Sequence, residues 1–413
     1  MTYIKPEPVS DQSSCHQDIL AVAQEAASRQ NWLLVDQQLK LLPQARGKAK
    51  LWQLNAQQWQ IAFELGLSML LEADFQHKWE VTKLLPRLGS GIIAPLSNLV
   101  LDETVAPDVR WFICQVLGNF PQQEVVLTLV ALLQQTTDPE LIGIAGKTLS
   151  KIGDSAVAAL VDLLEQPQHR FLAVQSLSYI RTAETITPLL TIATDQEPKL
   201  RIIAIKALGS FHDRRVPPIL IQALADTASD VRKEAAIALG FRPDLCQELD
   251  LVQHLQSLLR DLNLEVCAQA AIALGRMKQE AATTALFQEL QAATTPMLLK
   301  LEIVRALGWS GISSGISYLQ QALRHASNTI TQEIIVVLGR ITVPELKTQS
   351  TQVLIDFWHE QQPDLDPIKQ TLANSLGELG DNSAQKILEQ LAIDSDRKVQ
   401  LHAQAALRKL GNI

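Results

Sequence analysis

Aromatic side chains are scarce, at 5% of the 413 residues. That excludes a core built around large rings and points to aliphatic seams between short helices. Cysteine is scarce too: Cys15, Cys114, Cys246 and Cys267 form no CxxC pair, so no zinc or redox motif is present. Cys114 and Cys267 sit among apolar residues at helical spacing and are expected as small buried hydrophobes. Cys15, beside His16, is the cysteine expected to be exposed. No apolar run approaches the roughly 20 residues that a membrane span needs, and the start MTYIKPEPVSDQSS lacks the apolar stretch of a leader. A cytoplasmic protein without membrane insertion is the expectation. No long run of Lys or Arg interrupts a net charge of −8, which removes the electrostatic footprint of a nucleic-acid partner.

Catalytic signatures are missing as well. There is no GxxxxGK[ST] loop, and the glycine-rich stretch Gly308 to Gly315 lacks the lysine and the preceding strand that a phosphate loop requires. There is no HExxH, and the histidines are scattered without ligand-like spacing. No catalytic residue, metal ligand or cofactor is assigned from the residues themselves.

What the chain does have is a repeat. Leu followed by a small residue closes one apolar helix after another: Leu117-Gly118, Leu149-Ser150, Leu177-Ser178, Leu208-Gly209, Leu239-Gly240, Leu274-Gly275, Leu307-Gly308, Leu338-Gly339 and Leu376-Gly377. Leu85-Pro86 and Leu407-Arg408 extend the column, and the steps cluster near 32 residues. A period of that length marks stacked supersecondary units. Asp195 to Arg201 and Asp226 to Arg232 open two of the units, with Asp or Ser placed to cap the first helix and Pro near its start. Ile202 to Leu208 and Glu234 to Leu239 then carry apolar groups at three- and four-residue steps. Small residues let neighbouring helices approach, and Gly at the end permits either a tight turn or close packing.

The segments DVRKEAAIALG (Asp230 to Gly240), KLRIIAIKALGSFHD (Lys199 to Asp213) and GKTLSKIGDSAVAALVDLLE (Gly146 to Glu165) resemble HEAT repeats, more narrowly the HEAT-like repeats of the phycobilin lyase class. The resemblance spans residues 79–413. It implies an all-α, HEAT/armadillo-type α-α superhelical solenoid of about eleven helical hairpins. Residues 1–14 are expected to be disordered and 15–78 to form an atypical helical cap, covering the exposed end of the stack. In HEAT-fold iron hydroxylases several His-Glu dipeptides hold the metal; here His359-Glu360 is the only one.

The resemblance further implies that each unit's second helix lines the binding surface. One column of those helices reads Asn98, Ala131, Asp162, Thr191, Gln222, Ser257, Glu289, Gln321, Asp356 and Gln390, with Gln253, Gln256, Gln288, Tyr318 and Gln320 beside it. Amide-rich and neutral to acidic, the stripe suits a protein partner read by hydrogen bonds and not a phosphate backbone. Trp79, Trp111, Tyr179 and Trp309 are the aromatics placed to meet a ligand or partner. Two insertions, Phe241 to Asp250 and Ile341 to Ser350, are expected in turns between helices. The expected function is a non-enzymatic scaffold for protein partners, with phycobiliprotein subunits implied by the resemblance. The alternative is a bilin lyase or chaperone with a bilin as its ligand, drawing on Arg110, Trp111, Tyr179, Arg181 and Trp309.

Overall fold

The computed structural model describes residues 10–42 and 52–411. The expected disorder of residues 1–9 and the exposure of Cys15 lie outside what it describes. The chain divides into two compact units, Met1–Leu189 and Leu190–Ile413.

The first unit opens with α1 (Ser10–Ser28), α2 (Trp32–Leu41), α3 (Ala56–Glu72) and α4 (Phe75–Leu84). The first helix thus includes residues 10–14 of the segment expected to be disordered. Hairpins follow: α5 (Ile93–Leu101), α6 (Pro107–Leu117), α7 (Gln123–Gln135), α8 (Pro139–Ile152), α9 (Asp154–Leu163) and α10 (Pro167–Tyr179). The division falls within α11 (Ile186–Ile192).

The second unit runs through α12 (Pro198–Leu208), α13 (Val216–Ala223), α14 (Ser229–Gly240), α15 (Leu251–Ser257), α16 (Leu264–Arg276), α17 (Glu280–Gln291) and α18 (Met297–Trp309). It continues with α19 (Ser313–Leu323), α20 (Asn328–Gly339), α21 (Pro344–Gln361), α22 (Asp366–Leu379), α23 (Gln385–Leu391) and α24 (Arg397–Lys409). Each unit is a HEAT-type stack in which first helices pack on first helices and second on second, as in α12·α14·α16·α18 and α15·α17·α19·α21.

Proline places many helix starts. It stands in the first turn of α6, α8, α10, α12, α21 and α22, where its missing N–H costs nothing. In α3 the start is a reciprocal cap, Asn55 accepting from the Gln58 N–H and Gln58 from the Asn55 N–H. Asp138 and Asp396 cap their first helices, whereas Asp195 and Asp226 do something else. Asp195 accepts from the N–H of Glu197 and Asp226 from that of Ala228, both at 2.8 Å. These contacts close a turn ahead of the helix, whose own N-cap residues, Glu197 and Ala228, contribute no side-chain cap.

Six residues further on, a side chain reaches back to the carbonyl of the same aspartate. Arg201 donates to the Asp195 carbonyl at 2.8 Å, Arg232 to Asp226 at 2.7 Å and Gln400 to Asp394 at 2.8 Å. The Cys267 thiol does so weakly, 3.2 Å from the Asp261 carbonyl. In two repeats the arginine also grips the aspartate of the next turn with two parallel bonds. Arg201 holds Asp226 at 2.7 and 2.6 Å, and Arg232 holds Asp261 at 2.7 and 2.7 Å. Asp226 therefore serves two repeats at once.

The Leu-Gly column decides between the two roles open to glycine. Gly118 and Gly209 end their helices with φ of −63° and −57°, a backbone any residue adopts. What the column lacks is room. A Cβ on Gly209 would stand 2.8 Å from the Ala238 Cβ, on Gly275 2.7 Å from the Ala306 carbonyl oxygen, and on Gly377 2.6 Å from the Ala406 Cβ. Glycine is there for close approach of consecutive first helices.

The Phe241–Asp250 insertion does lie between helices, including a short 3-10 turn at Pro243–Leu245. The other one does not. Residues 344–350 form the opening turns of the 18-residue α21, correcting the expectation of a turn. Pro344 fixes the new start, and extra turns lengthen a helix without disturbing the packing of its remainder.

Cys114, Cys246 and Cys267 are all buried and free. Burial pushes the Cys114 thiol up to about 12, with Arg110 opposing only in part. The thiolate is the reactive form, so Cys114 is expected to resist iodoacetamide at pH 8 while the chain is folded and to react fully in denaturant. Mass spectrometry of labelled peptides would read this, and rapid labelling in the native state would contradict it.

Candidate protein-binding face of the second helices

In the first unit the stripe is short. Asn98 on α5 and Asp162 on α9 are exposed. On α7, between them, the buried Thr128 hydroxyl donates to Ser97 at 3.0 Å, fastening α7 to α5.

The second unit carries the longer run, and its hydrogen bonds step from one second helix to the next. The Thr284 and Tyr318 hydroxyls bridge α17 and α19 at 3.0 Å, and the Tyr318 ring stacks on Phe287 with centroids 4.5 Å apart. Ser313 donates to Gln349 at 2.9 Å, and Gln320 donates to Asp356 at 3.3 Å, joining α19 to α21. The Trp358 indole N–H donates to Gln390 at 3.2 Å, joining α21 to α23.

Part of the expected binding stripe is consumed by this ladder. Glu289 is 6% exposed, with one carboxylate oxygen accepting from Arg260 at 2.9 Å and the other from Thr295 at 2.7 Å. It braces α17 against the preceding repeat and the loop that follows, and it is not displayed to a partner. Asp356 is half-buried and also takes a bond from Gln352 at 2.7 Å. Gln390 is exposed but occupied by Trp358. Periodicity could not reveal these roles, because it places a helix face but not the individual bonds that Arg260, Thr295, Gln352 and Trp358 make to it.

The remaining positions stay on the surface. Thr191, Gln222, Ser257 and Gln321 are exposed. Gln253, Gln256 and Ser257 of α15 face Gln288 of α17 across a cavity of about 300 Å³, floored by Leu259 and Ala285. Three amides around a small apolar floor offer both donors and acceptors, the chemistry of a polypeptide backbone or polar side chain.

The four aromatics belong to the other helix layer. Trp79 and Trp111 come together on α4 and α6 with centroids 6.4 Å apart, Lys83 lying 6.0 Å over the Trp79 ring. Phe112 joins them, 5.1 Å from Trp111 and 5.3 Å from Phe75. Tyr179 ends α10 and Trp309 ends α18, both exposed. Trp111 and Tyr179 do not meet, since α8 packs between α6 and α10. Arg110 is buried and donates from Nε to the Val100 carbonyl at 2.8 Å, while its Nη2 is buried without a hydrogen-bond partner among the described residues. Among the described residues no group of three or more His, Cys, Asp or Glu side chains could hold a metal ion. No single described helix is long and apolar enough to cross a membrane.

A sequence profile of HEAT repeats matches residues 93–178, 165–240 and 218–298. An uncharacterized phycocyanin operon protein Z from Pseudanabaena tenuis (strain PCC 7409) is 30% identical over 142 residues, covering 33% of this chain and 69% of the relative. Among solved structures, Kap95p, studied there with RanGDP, aligns over 84% of this chain and 55% of its own, with 13% identity and a TM-score of 0.57. The CpcE–CpcF complex of phycocyanin lyase from Nostoc sp. PCC7120 aligns over 55% of this chain and 86% of its own, at 20% identity and a TM-score of 0.33, too loose a likeness to bear on function. The chain belongs to a family of HEAT-repeat proteins that includes the Pseudanabaena phycocyanin operon protein.

Proposed function

We propose that this protein is a non-enzymatic scaffold that holds a protein partner on its second-helix face, the partner being a phycobiliprotein subunit. The observation that carries the reading is the amide groove between α15 and α17, where Gln253, Gln256 and Gln288 stand exposed beside a framework of helix-to-helix hydrogen bonds. Such bonds, with Arg260 to Glu289 at the groove itself, fix the spacing of the helices that carry the amides before binding, so less backbone ordering is needed on association. The phycobiliprotein assignment draws on the relative's place in a phycocyanin operon. A tetrapyrrole ligand has weaker support, because Trp111, Tyr179 and Arg110 point to no common cradle.

The test is binding of purified phycocyanin subunits, with and without their bilin, to the full chain by calorimetry. Saturable binding that falls about tenfold or more in Gln256→Lys/Gln288→Lys is the expected result. Transfer of a bilin onto a phycobiliprotein cysteine would replace the scaffold by a lyase, and absence of binding would remove the phycobiliprotein partner.

A further inference from the structure

A second surface lies on the first-helix layer of residues 190–413, at the ends of four successive helices. The residue after each landmark glycine reads Phe241, Arg276, Trp309 and Arg340, so aromatic and cationic side chains alternate from helix to helix. All four are exposed, Phe241 by 62% and Trp309 by 58%. The Arg276 guanidinium lies 4.3 Å from the Phe241 ring centroid. Arg340 and Trp309 share a cavity of about 580 Å³ with Gly308, Gly311, Thr342 and Val343.

Neither Arg276 nor Arg340 has a carboxylate or carbonyl partner among the described residues, although the chain carries a net charge of −8. Glu333, which lines the same cavity as Arg340, is already engaged by Arg305 at 2.6 Å. Two unpaired guanidiniums on an acidic protein, each next to an exposed ring, form a surface whose charge complement is a carboxylate and whose apolar complement is an aliphatic side chain.

We propose that this rim docks an extended acidic segment of a partner protein, independently of the second-helix face. Neighbouring helices stand about 8–10 Å apart and an extended chain rises about 3.3 Å per residue. Each helix step therefore matches about three residues of the segment. An acid falls on the Arg276 guanidinium stacked on Phe241, an apolar residue on Trp309 and an acid on Arg340, with one further apolar residue running ahead along the exposed Phe241 edge, over about ten residues.

The probe is a fluorescein-labelled peptide of about ten residues with Leu, Glu, Leu and Glu at every third position and Ser or Gly between. Fluorescence anisotropy with the full chain is expected to give saturable binding that weakens as salt rises from about 0.05 to about 0.5 M. Arg276→Glu/Arg340→Glu should lower affinity at least about tenfold, and Trp309→Ala several-fold, with circular dichroism unchanged. Gln256→Lys/Gln288→Lys should leave it intact, which separates this surface from the second-helix face. Equal binding by the arginine double variant, or by a peptide with Lys for Glu, would overturn the proposal. So would no binding up to about 1 mM, or a thymidine oligonucleotide binding the rim in place of the peptide.

Discussion

Gly275→Val is expected to cost about 3 kcal/mol of stability and to unfold part of the second unit early. A Cβ at position 275 would stand 2.7 Å from the Ala306 carbonyl oxygen and 3.1 Å from the Ala306 Cα. Both are backbone atoms of the next first helix, so no side-chain rotation relieves the clash. The helices must separate, and overpacking of that kind costs about 1–3 kcal/mol for small additions; valine, with two further methyls, sits at the upper end. Because each repeat touches only its neighbours, the damage should spread along α14, α16 and α18 more than across the chain, giving a broadened or two-step urea transition by circular dichroism. Gly143→Ala is the control. It lies inside α8, where an added Cβ meets nothing within 4 Å, so the change should be neutral or stabilise by up to about 1 kcal/mol through helix propensity. Equal effects at both positions would refute close approach as the role of the column.

That contrast also marks how far the sequence carries. The repeat was legible because its signal is a spacing, and ten spacings near one value outweigh any local ambiguity. The Leu-Gly column was legible as a landmark but not as a mechanism: glycine for a turn and glycine for proximity look the same in one dimension, and only the negative φ at Gly118 and Gly209 separates them. Glu289 shows the limit more sharply. By position it belongs to the display stripe, yet Arg260 and Thr295 draw it inward, and a one-dimensional pattern does not show which side chains meet. The stretch Ile341 to Ser350 failed for another reason. A changed spacing gives the number of extra residues but not whether they loop or extend a helix, and here Pro344 starts α21 early. Trp79, Trp111, Tyr179 and Trp309 were picked out by type alone. Helix assignment then divides them from the amide stripe, so the two sets mark two surfaces.

The Arg–Asp contacts between repeats were visible only as isolated repeat openings, yet they support the second-largest expected effect. Asp261→Asn should cost about 2–3 kcal/mol, since it leaves the Arg232 guanidinium, little exposed and bound through Nη1 to the Asp226 and Thr227 carbonyls, without its charged partner. Asp226→Asn should act similarly through Arg201, whose side chain is 10% exposed. The Arg232 guanidinium holds the Asp261 carboxyl below its ordinary value against burial, with help from the Asn263 N–H. At Asp226 burial works the other way, and the Arg201 guanidinium with the Ala228 N–H more than offsets it. Carboxyls lowered in the folded state contribute stability that is fully present above the unfolded value of about 3.9 and is lost as pH falls through the lower folded value. The difference in urea midpoint between the wild-type chain and Asp226→Asn/Asp261→Asn should therefore be large at pH 7 and shrink below about pH 4. A gap that stays constant down to about pH 3 would mean that the aspartates act through shape and hydrogen bonding alone, with their charge contributing nothing to the joint between repeats.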